Sequence, residues 1–420
     1  MNVLFAMPWD QSVGGVTHVA ASLARSLESR GHRAFFVFPG SGWLIRSGTS
    51  LQGFPSIECR FRNYPSRDAT LRARLSWLST TITALPQLVR FARAHRIDLI
   101  NVHYPVSSFA LLVDLARQLG VPVVVSAHGS DLLPDAGPHP NGGISRLLDY
   151  ASSVVVPSRT FLASVIEAYP RVANKARWIY NGYDRRELGV APGASADGGG
   201  AVILCIAAHI HKKGIDVLLE ALKACGERRL ELRLIGDGAI RPQLEEQAVR
   251  LGISDRVSFL GSKHRREVFD ELWRCDLLVM PSRLASESFG LAALEAMACG
   301  KPVIASAVGG LRELVDDGAT GLVVPPDDPA ALALALARLA GDPELRLRLG
   351  EAGRAKAARF TVEATADEYE RLFGRLVGGG PGTGSASISD ESMSGPAANW
   401  PVSVPDRGPH PVPTPREPAG

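Results

Sequence analysis

A doubly wound α/β architecture, repeated twice along the chain, is what this 420-residue sequence predicts, and three observations carry it. Short apolar runs alternate with longer stretches of helical spacing, the pattern of parallel strands joined by crossover helices. The same pattern restarts after a glycine-rich stretch at 189–200 (GVAPGASADGGG), which places a domain boundary there. The length exceeds one ordinary core, while 45% apolar and 21% charged residues are the proportions of a soluble globular chain.

Met1 runs straight into an apolar segment without a basic leader, and no apolar run reaches transmembrane length, so residence in the cytoplasm is expected. The five cysteines, Cys59, Cys205, Cys225, Cys275 and Cys299, form an odd set without C-x-x-C spacing and read as reduced thiols. The net charge of +3 is unevenly spread. Residues 1–190 carry 20 Lys and Arg against 12 Asp and Glu, net +8, and the remainder carries 26 against 31, net −5. The two halves are therefore expected to face different partners.

In chain order, Val3 to Pro8 reads as a buried strand, Gly14-Gly15 as a tight turn, and about Val16 to Arg30 as a helix with an apolar stripe. Strands are expected at Ala34–Phe38, Ile97–His103, Pro122–Ala127, Val154–Pro157 and Trp178–Tyr180. Between Arg60 and Arg96 stand eight arginines and one acid, Asp68, interleaved with apolar residues. This suits a basic amphipathic surface for anionic lipid or an anionic acceptor, or else a solvated arginine-rich helix. Nucleic acid is not expected, because no binding motif accompanies the charge.

The second half reads as strand Ala201–Ala207, polar turn Lys212-Lys213-Gly214, helix Ile215–Ala224, strand Leu230–Ile235, helix Arg241–Leu251 and strand Val257–Gly261. A glycine turn lies within Ala307–Leu314, helix is expected from Asp328 to Gly374, and the chain from 377 on, rich in Gly, Ser and Pro, reads as a disordered tail.

The stretch from Asp276 to Ser306 carries the chemistry. A strand (Asp276–Met280), a polar loop (Pro281–Ser288) and a helix (Leu291–Cys299) put Glu287 in the loop and Glu295 on the helix, eight residues apart. The amides of Phe289, Gly290 and Leu291 fall at the helix N-terminus, unpaired and positively polarised, where a phosphate is their natural ligand. A loop carboxylate can accept from sugar hydroxyls, and one a turn into the helix can reach a ribose diol. Together they describe a nucleotide-sugar cradle, although each glutamate alone reads as an ordinary surface charge. His128, directly after a strand in S-A-H-G-S-D-L, lies where open α/β sheets bind ligands, and Asp131 is suited to fixing its loop.

The text E-S-F-G-L-A-A-L-E-A-M-A-C-G-K-P-V-I-A-S closely resembles the E-x7-E signature of the retaining GT-B glycosyltransferases of family 4, in which E-G-F-G and E-A-M-A-x-G-x-P-V-I-A are usual. H-G-S-D is similar to that family's H-G-x-D, Tyr180 to Asp184 resembles its N-G-V-D hinge, and Gly14-Gly15 resembles its N-terminal glycine loop. Two departures stand out. Ser288 replaces a usual glycine, and Ala207, Ala208 and their neighbours supply no arginine ahead of Lys213, leaving His209, His211 or Lys212 as replacements.

The resemblance implies two Rossmann-like domains facing across a cleft. These are an acceptor domain (1–188), a linker (189–200), a nucleotide-sugar domain (201–358), a helix returning to the first domain (359–376) and the tail (377–420). It implies that Glu295 holds the ribose, that Glu287 and the Phe289, Gly290 and Leu291 amides hold the sugar and phosphate, that Lys213 holds the diphosphate, and that His128 contacts the donor sugar, with Gly14 and Gly15 lining the donor site. The expected reaction is metal-independent transfer from a nucleotide-sugar co-substrate, with no other cofactor, to a glycan, lipid-linked or small-molecule acceptor. The alternatives are a nucleotide-sugar-binding protein that has lost catalysis and a GT-B nucleotide-sugar epimerase.

Overall fold

The structure is a computed structural model that describes residues 1–10, 14–66, 68–133, 142–189, 200–227 and 229–379. The first half opens with β1 (Asn2–Ala6), α1 (Gly15–Glu28) and β2 (Arg33–Pro39), as their unbroken apolar runs and helical spacing dictate. A short pair, β3 (Arg46–Thr49) and β4 (Pro55–Cys59), was not expected from the sequence. Every residue of β3 is exposed, so it carries no apolar alternation to announce it. The half continues with α2 (Leu71–Ala94), β5 (Leu99–His103), α3 (Leu111–Leu119) and β6 (Val123–Ser126). It ends with α4 (Gly142–Tyr150), β7 (Ser153–Val156), α5 (Arg159–Ala168) and β8 (Ala176–Trp178). The last strand lies two residues earlier than expected.

The second half repeats the plan with β9 (Ala201–Ile206), α6 (Ile215–Ala224), β10 (Leu230–Ile235), α7 (Arg241–Leu251) and β11 (Val257–Gly261). It goes on through α8 (Arg265–Arg274), β12 (Leu277–Met280), α9 (Leu291–Ala298), β13 (Val303–Ser306), α10 (Leu311–Leu314) and β14 (Gly321–Val324). The expected helical stretch from Asp328 divides into α11 (Pro329–Gly341), α12 (Pro343–Ala357) and α13 (Val362–Gly378). Asp328, Asp342 and Thr361 start these three helices by accepting from the backbone N–H groups of Ala331, Leu345 and Ala364. Because α13 runs to Gly378, a tail beginning at 377 is corrected, and the tail from 380 on lies outside the described residues. So does most of the expected linker, 190–199.

The first sheet has the order β3-β4-β2-β1-β5-β6-β7-β8 and the second β11-β10-β9-β12-β13-β14. All neighbours are parallel except β3 and β4. Strand order reverses at β1 in the first sheet and at β9 in the second, and crevices for ligands open at the carboxyl ends of strands at such points. Gly14, Lys213 and Glu287 follow the carboxyl ends of strands at or next to these two reversals, and His128 follows β6, two strands from β1.

The halves are stitched together by α13. Tyr183 and Thr361 pair in parallel, with Tyr183 N–H donating to the Phe360 carbonyl and Val362 N–H to the Tyr183 carbonyl. Beyond that crossing, Ala366, Tyr369, Leu372 and Phe373 are buried among Val3, Phe5, Leu23 and Leu27 of the first half. Arg30 adds ion pairs to Asp367 and Glu370. A Cβ on Gly182 would lie 2.1 Å from the Thr361 carbonyl carbon, so only glycine lets the hinge pass this close. Gly182→Ala is expected to destabilise the protein by about 1–3 kcal/mol through forced separation of these segments. A calorimetric melting temperature equal to that of the wild type would refute the account.

Candidate active site

Glu287 and Lys213 meet because two loops approach at backbone distance. Gly214, with φ +64°, passes the second-half loop so close to the β12 loop that a Cβ would lie 2.0 Å from the Pro281 carbonyl oxygen. Lys213 Nζ is then 2.6 Å from Glu287 Oε2, which also accepts from Ser282 Oγ at 2.7 Å. Burial opposes the charge on Glu287, but the Lys213 ammonium and the two donated hydrogen bonds outweigh it and hold the carboxyl below its ordinary range. After this loop, Gly290 takes φ +92° and starts α9, where a Cβ would strike the Leu311 side chain. Among the described residues, no protein acceptor meets the amides of Phe289, Gly290 or Leu291.

The glycine turn expected within Ala307–Leu314, at Gly309-Gly310, packs against the Glu287 loop. A Cβ on Gly309 would lie 2.1 Å from the Glu287 carbonyl oxygen, and Gly310 N–H donates to that oxygen at 2.9 Å. The turn therefore buttresses the Glu287 loop.

Glu295 is 2% exposed and is not a free carboxylate. Arg265 Nη2 donates to it at 2.6 Å and to Glu187 at 2.9 Å, and Glu187 Oε2 lies 3.3 Å from Nε2 of His18 on α1. Burial works against the Arg265 charge, yet the two carboxylates raise its pKa above the ordinary value. Burial raises the Glu187 carboxyl and, with nearby Arg265, lowers His18 to about 3, so His18 is neutral. Gly15 opens the helix that carries His18, and Gly14, its N-cap, accepts from the His18 backbone N–H at 3.1 Å.

His128 follows β6 in a loop closed by Asp131, which accepts from the N–H groups of His128 at 2.8 Å and Gly129 at 2.6 Å. Gly129, with φ +138°, runs against the β12 loop, where a Cβ would lie 2.6 Å from the Ser286 carbonyl oxygen. Ser288 uses its hydroxyl here. Its Oγ donates to the His128 carbonyl at 2.6 Å, and its carbonyl accepts from Ser158 Oγ at 2.7 Å, so this residue joins the two halves twice. Burial lowers the His128 imidazole to about 4, and its Nε2 lies 3.0 Å from His103 Nδ1.

The three side chains considered as replacements for an arginine before Lys213 separate. His211 and Lys212 line a groove with Ile210, Arg283, Leu284 and Asp327, whereas His209 is buried edge-on against Phe259. Arg283 is held by Asp216, 2.7 Å from each carboxylate oxygen, and by Asp327. Among the described residues, no group of three His, Cys, Asp or Glu is placed to hold a metal ion. Sequence reasoning missed Arg265, Glu187, His18 and Ser282, which stand in ordinary charged or polar stretches. It also passed over Asn101 and His103, although polar residues in an otherwise apolar strand are a legible signal.

The geometry agrees with comparisons to known proteins. The models of glycosyltransferase family 4 and of glycosyl transferases group 1 match residues 13–187 and 193–356. The chain is 32% identical over 280 residues to an uncharacterized glycosyltransferase of Methanocaldococcus jannaschii, spanning 67% of this chain and 76% of the other. Over 316 residues it is 34% identical to a D-inositol 3-phosphate glycosyltransferase of Saccharomonospora viridis, spanning 68% and 72%. The solved structure of HepE from Anabaena in complex with UDP superposes with a TM-score of 0.71 at 23% identity, spanning 90% of this chain and all of that one. Sucrose-phosphate synthase from Thermosynechococcus elongatus superposes equally well, at 0.71 and 23%, spanning 90% and 99%. With its two parallel-sheet halves facing across the cleft, the chain belongs to the glycosyl transferases group 1, family 4, and is a GT-B glycosyltransferase.

Proposed function

We propose that the protein moves a sugar from a nucleotide-diphosphate sugar to a hydroxyl acceptor, with retention at the anomeric carbon and without a metal ion. The observation that carries this reading is the Lys213 ammonium held 2.6 Å from Glu287, beside the three unpaired amides that open α9. That arrangement brings N–H donors of the ammonium and of the helix N-terminus to one place, where a diphosphate leaving group can gather charge. HepE is solved with UDP and with UDP-glucose, which supports a nucleotide-sugar as donor.

In this reading the bond from the anomeric carbon to the phosphate oxygen breaks, and a bond to the acceptor oxygen forms on the same face. The acceptor's proton passes to the departing phosphate oxygen. Glu287 accepts from Lys213 and Ser282 through Oε2 alone, which leaves Oε1 to accept from the sugar's hydroxyls in this reading. A ribose diol donating to Glu295 would share that carboxylate with Arg265, which keeps its second partner in Glu187.

The basic first half is proposed to receive the acceptor at an anionic membrane surface. Along α2, Leu71, Leu75, Leu78 and Ile82 fall on one side at helical spacing and are 71%, 54%, 51% and 64% exposed. The helix bears Arg72, Arg74, Arg90 and Arg93 and no acid. Exposed Trp43 and Leu44 adjoin it, their loop tied to α2 by Gln87. No described helix is long and apolar enough to cross a membrane, so the contact would be peripheral.

Glu295→Ala is expected to weaken nucleoside diphosphate and nucleotide-sugar alike, by about 1–3 kcal/mol each for lost charge-assisted hydrogen bonds. Glu287→Ala should spare the nucleoside diphosphate. Calorimetric titration of both variants with both ligands checks this, and equal losses in the Glu287 variant would remove the assignment.

Lys213→Ala should lower kcat on the order of 10²–10³-fold and change the donor KM less. Activity in chelator should be complete and the product's anomeric configuration, read by NMR, should match the donor's. An inverted product would overturn the mechanism, and turnover abolished by chelator would transfer the cationic role to an ion.

Binding to phosphatidylglycerol vesicles should exceed binding to neutral vesicles at low salt, with each basic residue near the surface worth about 1 kcal/mol, and should fall with added salt. Leu75→Asp should weaken it. Equal sedimentation with both vesicle types would rule the surface out.

A further inference from the structure

A chain of buried side chains runs from the crossing helix to the cleft. Tyr369 Oη lies 3.0 Å from Ser126 Oγ, and Ser126 Oγ donates to Asn101 Oδ1 at 2.9 Å. Asn101 Nδ2 lies 2.9 Å from His103 Nε2, and His103 Nδ1 lies 3.0 Å from His128 Nε2. Asn101, Ser126 and His103 are at most 1% exposed and Tyr369 is 6% exposed. Among the described residues, the Tyr369 hydroxyl has no partner except Ser126, and His128 Nδ1 has none at all.

The direction of every hydrogen bond in this chain follows from elementary chemistry. An amide nitrogen only donates, so His103 Nε2 must accept from Asn101. Burial, with His128 alongside, holds the His103 imidazole well below its ordinary pKa, so it is neutral and carries its one proton on Nδ1. That N–H donates to His128 Nε2. His128 is neutral too, and its single proton must therefore sit on Nδ1.

The opposite polarity would turn the Asn101 amide over. Asn101 Nδ2 would then donate to Ser126, Ser126 would donate to Tyr369, and the buried Tyr369 hydroxyl hydrogen would have no acceptor, a heavily penalised arrangement. The polarity written here leaves every hydroxyl hydrogen in the chain paired. The Ser126 hydroxyl, backed by Tyr369, thus holds Asn101 in one orientation, and Asn101 holds both imidazoles in one tautomer.

We infer that Ser126, Asn101 and His103 are positioning residues that fix His128 as a neutral imidazole presenting one N–H donor, from Nδ1, to an acceptor oxygen on the donor sugar. The last part rests on the proposed placement of the sugar beside His128. A neutral donor suits that place, since an imidazolium would repel the positive charge that grows on the sugar ring as its bond to the phosphate stretches. An Nδ1 lone pair in its place would offer nothing to an acceptor oxygen.

The test is long-range proton–nitrogen NMR of the full chain labelled with ¹⁵N-histidine at pH 7, with the His128 signals assigned by their loss in His128→Gln. The wild type should show His128 as the Nδ1–H tautomer alone. An Nε2–H tautomer or an imidazolium would overturn the inference. Ser126→Ala, which removes one oxygen and frees the amide to turn, should give a mixture of tautomers, and Ser126→Thr should restore the single one. A single Nδ1–H tautomer persisting in Ser126→Ala would show that the network does not set it.

With the nucleotide-sugar that gives turnover, Ser126→Ala should lower kcat/KM for the donor roughly three- to tenfold and leave inhibition by the nucleoside diphosphate unchanged. Unchanged kcat/KM beside a mixed tautomer would overturn the role of the N–H. The ring spectra need no substrate, so a failure of the tautomer assignment and a failure of the donor reading are told apart.

Discussion

Two carboxylates largely withdrawn from water on one loop and helix, Glu287 and Glu295, set the terms for everything around the cleft. A buried carboxylate stays ionised only where a cation and hydrogen-bond donors replace the water it has lost. The fold meets that demand twice. The loop after β9 brings Lys213 to Glu287, and the start of α8 brings Arg265 to Glu295. Neither cation comes from the segment that carries its acid, so both pairs exist only when the second sheet is assembled. Arg265 reaches further, through Glu187 to His18 on α1, and so ties the second half to the first half.

Close passage of backbones makes these pairings possible. Gly214 against Pro281, Gly309 against Glu287 and Gly129 against Ser286 are all contacts that a side chain would block. In each case one loop at the carboxyl edge of a sheet leans on another, which explains why glycine is needed at these points. Ser288 shows the same economy. Its hydroxyl donates to the His128 carbonyl while its own carbonyl accepts from Ser158, so a residue that departs from the family's usual glycine becomes a bridge between halves.

The crossing helix couples the parts over a longer distance. Its first turn pairs Thr361 with Tyr183 at the hinge, its apolar face closes the core of the first sheet, and its Tyr369 ends the buried polar chain that leads to His128. A residue from the last helix thereby reaches, through three side chains of the first sheet, an imidazole at the cleft. Displacement of that helix would disturb hinge, core and cleft together, because the same few turns serve all three.

The alternation of apolar strands with helical spacing was enough to foretell two doubly wound sheets, and the text from Asp276 to Ser306 was enough to put Glu287 in a loop and Glu295 on the helix that follows it. Those features are local: period, glycine turns and caps act over a few residues and can be read from the chain. The strand β3 escaped because an exposed strand has no apolar period, and the tail was set two residues too early because its glycines also suit the end of a helix. What holds Glu295, Glu187 and His18 to Arg265, and His128 to Asn101 and His103, was decided by tertiary structure alone. A hydrogen-bond partner is chosen by which strand ends and helix starts come together, across separations of tens to hundreds of residues, and no spacing in the sequence records that choice.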